Sequence, residues 1–230
     1  MSIDANAQRP PAFLPCIRIA KNGPYLASGG LVLTTRSPEI EHGEPVDWKD
    51  EKAETPRATY VLCRCGQSSN KPFCDGTHNR AGFNGECTAD RAPGATRRKI
   101  YPGHGMTMTD DESLCAGYGF CDSHGGVWRE IAKSADPNVK ARLERQIANC
   151  PSGRLQYSLE HSSAPVEKHY DPTIAMIPDG PLWVLGGVPV ETTDGFTYEV
   201  RNRQLLCRCG ASQNKPFCDG SHRRVDFKAP

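Results

Sequence analysis

The chain has 230 residues, with 28 Lys and Arg against 27 Asp and Glu and a formal net charge of +1. That balance leaves no broad basic footprint for DNA or RNA, and no apolar run approaches the ~20 residues needed to span a bilayer. An aromatic content of 7% beside 22 Gly, 19 Pro and 11 Cys predicts several small units with thin cores, stabilised by what they bind, and a partly unfolded apo-protein.

The N-terminal stretch Met1 to Pro10 has no charged region followed by an apolar core, so no secretory signal is expected. The cysteines are therefore expected to be free thiols in a reducing, cytoplasmic compartment. Asn22 to Leu31 then parallels Asp179 to Val188, each with Gly-Pro and Gly-Gly flanking a short apolar stretch that reads as a strand. Between the strands of the first copy, residues 39–57 are polar and carry Pro45 and Pro56, with Pro38 just before them; they read as a surface loop.

Cys63-Arg64-Cys65-Gly66-Gln67-Ser68-Ser69-Asn70-Lys71-Pro72-Phe73-Cys74 comes next, and it reappears almost unchanged from Cys207 to Cys218. Each copy closes on Asp-Gly-Thr or Asp-Gly-Ser followed by His78 or His222. Cys63 and Cys65 are two residues apart, which in extended chain puts both thiols on one side, where they can share a metal atom. Cys74 and His78 are four apart, the spacing of one face of a helical turn, and can hold a second metal atom. A single tetrahedral zinc prefers Cys-x2-4-Cys and His-x3-5-His hooks, so two separate donor pairs favour a [2Fe-2S] cluster. Pro72 and Pro216 fix the backbone before the third cysteine, while Gly66, Gly76, Gly210 and Gly220 permit positive φ. Ser68, Ser212 and nearby backbone N–H groups are candidate donors to sulfur, and Asp75 and Asp219 are expected to cap the short helix carrying the histidine.

Between the repeats, Cys115-Ala116-Gly117-Tyr118-Gly119-Phe120-Cys121 is followed at a distance by Cys150-Pro151. Bacterial ferredoxins use Cys-x2-Cys-x2-Cys with a remote Cys-Pro, and here Tyr118 stands where the second cysteine would be. Asp136 and Pro137 predict a helix start, and Val139, Leu143 and Ile147 recur every four residues, so a helix would deliver Cys150 to the loop of Cys115 and Cys121. Three cysteines suit a [3Fe-4S] cluster, or a [4Fe-4S] cluster whose fourth iron takes His124, Cys87 or solvent. Cys16 and Cys87 otherwise read as inert thiols, His42, His104, His161 and His169 as surface imidazoles, and Arg97-Arg98-Lys99 as a solvated linker.

With these residues in place, the sequence resembles the CDGSH iron-sulfur domain of the mitoNEET type, whose signature is Cys-x-Cys-x2-Ser/Thr-x3-Pro-x-Cys-Asp-Gly-Ser/Ala/Thr-His. Both copies satisfy it. The resemblance implies one [2Fe-2S] cluster on Cys63, Cys65, Cys74 and His78 and another on Cys207, Cys209, Cys218 and His222, with a divergent single-cluster ferredoxin-like domain holding a [3Fe-4S] or [4Fe-4S] cluster on Cys115, Cys121 and Cys150. Phe83 and Phe227, five residues after each histidine, would form an apolar lid beside the cluster or an ordinary core contact. The expected fold class is α+β, with small metal-stabilised β-rich units at 1–95 and 161–230 flanking a ferredoxin-like α+β insert at 96–160. Single-motif relatives pair as homodimers, so a monomer with an internal pseudo-dimer is expected.

The function that follows is electron transfer among clusters held close together in one chain. No nucleophile elbow, Gly-rich nucleotide loop or open-site metal triad is present, so no enzyme is expected. A neutral imidazole in place of a thiolate raises the cluster's potential. Its remote nitrogen can take a proton on reduction, and protonation of the ligating nitrogen would make the cluster acid-labile. The alternative is a cluster carrier or redox-sensing binding module, and a third option is a structural zinc protein. The expected partner is accordingly a redox protein or an apo-protein cluster acceptor, with no nucleic acid and no membrane.

Overall fold

In the computed structural model, which describes residues 14–54 and 57–230, two of three sheets are built by exchange between the repeats. Met1 to Pro10 and Pro56 lie outside the described residues. The first repeat supplies β1 (Cys16–Ile19), β2 (Tyr25–Ser28), β3 (Val32–Glu41), β4 (Glu44–Glu54), β5 (Thr59–Leu62) and the single turn α1 (Thr77–Arg80). The middle segment supplies β6 (Lys99–Pro102), β7 (Met106–Asp110), α2 (Val127–Glu130), α3 (Pro137–Ala148) and β8 (Leu155–Leu159). The second repeat supplies β9 (Thr173–Met176), β10 (Leu182–Leu185), β11 (Val190–Glu191), β12 (Arg203–Leu206) and α4 (Ser221–Arg224).

The exchange is reciprocal. Strands β1, β2 and β5 form an antiparallel set to which β11 of the second repeat adds in parallel, Ile17 facing Val190. Strands β9, β10 and β12 form the matching set, and β3 of the first repeat adds in parallel to β9, Val32 facing Thr173. Each repeat thus lends its third strand to the other. One apolar cluster follows from this, with Ile17, Tyr25 and Leu62 of the first repeat packed with Ile174, Leu182, Val184 and Leu206 of the second. All seven are fully buried, and burying side chains of this size stabilises by ~1.5–3 kcal/mol each.

Over residues 39–54 the expected surface loop is instead part of a long β-hairpin, β3 and β4, whose pairing shifts register between Thr34 and Arg36 and between Glu39 and Ile40. Its turn is two residues, His42 and Gly43, both with positive φ (51° and 84°), as a tight hairpin requires. The prolines are tolerated because β4 is an edge strand and β3 is paired to β9 only from Val32 to Thr35, so neither Pro38 nor Pro45 interrupts a doubly paired strand. The hairpin carries Trp48 across the second repeat, where its ring lies 4.5 Å from that of Trp183 on β10.

That arm explains a difference between equivalent strands. On β10, Leu182, Trp183, Val184 and Leu185 are all buried, whereas on β2 the side chains alternate and Leu26 is 43% exposed. Both faces of β10 are covered, the outer one by Trp48, Tyr118 and Tyr170 around Ala116 and Trp183.

In the middle segment, β6, β7 and β8 form an antiparallel sheet. Asp136 caps α3 by accepting from the N–H groups of Asn138 (2.8 Å) and Val139, and Pro137 follows at the first helical position, as the sequence predicts. Leu143 and Ile147 are fully buried against Met106, Met108 and Leu155, with Val139 at the rim. The element types are those expected: β-rich repeats flank a mixed α+β segment. No helix among the described residues is long and apolar enough to cross a membrane.

Candidate metal centres

Each quartet is assembled by one hairpin-like fold-back. The chain leaves β5 at Cys63, whose N–H donates to Pro72 O (2.8 Å), and Cys74 N–H donates back to Val61 O (2.9 Å). In the second repeat Cys207 N–H donates to Pro216 O and Cys218 N–H to Leu205 O at the same distances. The peptide bonds Lys71-Pro72 and Lys215-Pro216 are both cis.

The donors meet in pairs. Cys63 Sγ and Cys65 Sγ are 3.8 Å apart, and Cys207 Sγ and Cys209 Sγ 3.6 Å. Two thiolates on one tetrahedral metal, with bonds of about 2.3 Å, lie about 3.7 Å apart. Cys74 Sγ is 3.4 Å from His78 Nδ1, and Cys218 Sγ is 3.4 Å from His222 Nδ1, so the same ring nitrogen faces the sulfur in both copies. No three His, Cys, Asp or Glu side chains gather as a single-ion cage among the described residues. Each quartet thus offers two donor pairs, each spaced to share one metal ion.

Backbone N–H groups point at sulfur as expected: Gln67 to Cys65, Gly76 to Cys74 and Gly220 to Cys218, each at 3.4 Å. The serines do not. Ser68 Oγ donates to Phe73 O (2.6 Å) and Ser212 Oγ to Phe217 O (2.7 Å), because a carbonyl is the stronger acceptor and lies within the same turn. Asp75 and Asp219 stand one residue before the cap position, which Gly76 and Gly220 occupy at φ 84° and 82°. From there Asp75 accepts from the N–H of Thr77 and of Ser69, and Asp219 from Ser221 and Gln213, tying the loop to the first helical turn. Those donors hold the Asp75 carboxyl well below the usual range.

The quartets touch each other. Gly66 and Gly210, at φ 78° and 81°, approach so closely that a Cβ on either would stand 2.5–2.6 Å from the carbonyl oxygen of Cys209 or Cys65. Tyr25 Oη donates across the repeats to Cys207 O at 2.7 Å.

The arginine between the paired cysteines is a feature that sequence reasoning passed over. Arg64 and Arg208 are each 1% exposed. Arg208 donates to the carbonyls of Gly180, Ile177 and Pro230, and Arg64 to Gly85 O. Burial lowers the Arg208 pKa to about 10. Phe83 and Phe227 stack on these guanidinium groups, at 5.6 and 5.4 Å, so each packs against the arginine between its paired cysteines. The retained Arg in both copies was the available signal.

Burial pushes the Cys218 thiol up to about 12, and Cys207 and Cys209 hydrogen-bond as a pair, which eases one proton off and holds the other. Metal binding at the second quartet must therefore expel thiol protons. His222 is lowered to about 4 by burial, with Arg223 and Arg208 nearby, which keeps its nitrogens available as ligands.

Two segments, 22–79 and 179–223, match the family model of the iron-binding zinc finger of CDGSH type. Residues 101–160 match that of a divergent 4Fe-4S mono-cluster domain. The chain carries two CDGSH segments around a divergent mono-cluster segment. It is an iron-sulfur protein by these matches. No curated protein matches it.

In the mono-cluster segment, Cys115, Cys121 and Cys150 line one cavity of about 80 Å³, with Trp128 and Arg154. Arg154 pairs with the fully buried Asp110 (2.5 Å), which also accepts from Trp128 Nε1. Of the suggested fourth ligands, Cys87 lies elsewhere, 3.4 Å from Arg64, and exposed His124 is outside the lining. Tyr118 lines the cavity but sets its ring on the second CDGSH segment, 6.4 Å from the His222 ring and near-parallel to it.

Other expectations sort plainly. All eleven cysteines are free, and His42, His104, His161 and His169 are exposed. Arg97 and Arg98 do not form a solvated linker: Arg97 pairs with buried Asp111 (3.0 Å) and Arg98 with Glu199 (2.8 Å), tying the mono-cluster segment to the second repeat.

Proposed function

We propose that this chain is an electron-transfer protein, with a [2Fe-2S] cluster on Cys63, Cys65, Cys74 and His78, a second on Cys207, Cys209, Cys218 and His222, and a [3Fe-4S] or [4Fe-4S] cluster on Cys115, Cys121 and Cys150. The observation that carries the reading is the twofold pairing of donors at 3.4–3.8 Å in both quartets. Bound there, a cluster supplies a one-electron couple whose potential the protein tunes.

The chain's own residues supply the tuning. Backbone N–H groups aimed at Cys65, Cys74 and Cys218 favour the more negative, reduced form. Buried Arg64 and Arg208 place positive charge behind the cysteine pairs and act in the same direction. The neutral imidazoles of His78 and His222 remove one negative charge from each donor set relative to four thiolates. Strand exchange and the Gly66–Gly210 contact keep the quartets together in one body, which favours a monomer whose two repeats play the parts of two subunits. The free thiols suit a reducing compartment such as the cytoplasm.

The reading is tested by redox titration of His78→Cys and His222→Cys, each of which should lower one midpoint potential. Unchanged potentials in both variants overturn it. A second reading, a cluster carrier, is favoured by the half-buried state of His78. Incubation with an apo-ferredoxin separates the two, since cluster transfer supports the carrier and electron exchange alone supports the redox role.

A further inference from the structure

The two CDGSH quartets have the same ligands in unlike surroundings. His222 is 5% exposed and lies under the Tyr118 ring, while His78 is half-buried and lines an open groove with Asn22, Asn79, Phe83 and Asn84. A Cβ at Gly76 would meet nothing within 4 Å, whereas one at Gly220 would lie 3.2 Å from Ala116 O. The residue after each histidine is exposed in both copies, but Arg223 is tied to the middle segment, donating to Gly117 O at 2.6 Å and placing its guanidinium 5.3 Å from the Tyr118 ring. Asn214 likewise donates to Ser113 O, while its counterpart Asn70 is exposed. The segment from Ser113 to Tyr118, which carries Cys115, therefore closes over the second quartet and leaves the first open.

We propose that the quartets divide the work: the His78 site is the port through which iron and outside redox partners gain access, and the His222 site is an internal site sealed by Tyr118. This rests on the cluster occupancy proposed above. It also gives Tyr118 a role at the place where a ferredoxin has its second cysteine, since a ring lying over His222 is not available to ligate iron in its own loop. Loss of a cluster requires the imidazole to leave and a competing ligand to reach the metal. At His78 the groove admits such a ligand, and at His222 the Tyr118 ring and Arg223 stand in its way.

The test is loss of the [2Fe-2S] visible absorbance from the holo-protein under excess of a hydroxamate iron chelator, with electron paramagnetic resonance assigning the cluster remaining. The expected course has two phases of equal amplitude, differing at least tenfold in rate. His78→Cys should slow the fast phase and leave the slow one, and His222→Cys should leave the fast phase. Tyr118→Ala should bring the slow phase to within about threefold of the fast, while Tyr118→Phe, which keeps the ring, should preserve it. One uniform phase in the wild type overturns the proposal, as does a fast phase assigned to the His222 cluster. If Tyr118→Ala does not fold, the wild-type phases and the two histidine variants still decide. Failure of the underlying cluster reading is seen separately, as purified protein without sulfide before any chelator is added.

Discussion

Arg203 Nη1 lies 2.6 Å from the carbonyl oxygen of Cys150. The same nitrogen reaches Ile147 O and Ala148 O, and the rest of the guanidinium pairs with Glu167 at 2.7–2.8 Å. An arginine of the second repeat thus serves the carbonyl end of α3 and fixes the backbone of a candidate ligand in another segment.

Arg203→Met should destabilise the protein by about 3 kcal/mol, because it leaves the Glu167 carboxylate without its charge partner and takes a donor from the carbonyls of Ile147, Ala148, Cys150 and Leu155, at a site where the arginine is 1% exposed. Chemical denaturation checks the loss, and iron analysis should show the mono-cluster site emptied first. A loss below about 1 kcal/mol contradicts this account of the docking.

The same pair predicts a pH dependence. Burial pushes the Glu167 carboxyl up, but Arg203, Asn202 and Gln156 together outweigh it and hold the group below the usual range. A depressed pKa contributes stability that is complete above the unfolded value of about 4.3 and is lost as pH falls through the folded one. The difference in thermal midpoint between wild type and Glu167→Gln should be constant from pH 7 to about pH 5 and shrink below it. A difference that stays level to pH 3 contradicts the assignment.

Gly66→Ala places a Cβ against Cys209 O at a backbone conformation that costs ~1–2 kcal/mol for an L side chain, with a further ~1–3 kcal/mol from the clash. Gly210→Ala should cost the same. Gly43→Ala has the same sign of φ and open space around it, so it should lose only about 1 kcal/mol. Thermal midpoints rank the three, and equal losses would show that the contact between the quartets is not tight.

Trp48→Ala should cost about 2–3 kcal/mol, somewhat less than a fully buried tryptophan. Its ring packs on Trp183, Tyr118 and Phe120, and its Nε1 donates to Asn149 O (2.9 Å). Denaturation measures the loss, and amide exchange should quicken along β10. Unchanged protection there would mean that the arm adds nothing to the second repeat.

The local chemistry was legible because it rests on short spacings. Cys63 with Cys65, Cys74 with His78, and Asp136 with Pro137 each specify their geometry within one turn or one strand. The short strands β2 and β10 were also marked by their flanking Gly-Pro and Gly-Gly. What escaped was nonlocal. The parallel pairings of β1 with β11 and of β3 with β9 join residues as far apart as Ile17 and Val190, or Val32 and Thr173, which no window of sequence displays. Residues 39–57 read as a loop because edge-strand prolines and polar side chains on a two-stranded arm imitate one. Ser68 reads as a candidate donor to sulfur because its alternative acceptor, Phe73 O, comes within reach only once the loop has closed.

The central claim, that the paired donors hold diiron-disulfide cores, is met most directly by counting iron and acid-labile sulfide in anaerobically purified protein, beside its visible and paramagnetic resonance spectra. The account predicts coloured protein with iron and sulfide in near-equal amounts and, on reduction, resonances of two distinct [2Fe-2S] centres. Colourless protein carrying zinc and no sulfide, with every cysteine and histidine of the quartets intact, would contradict it.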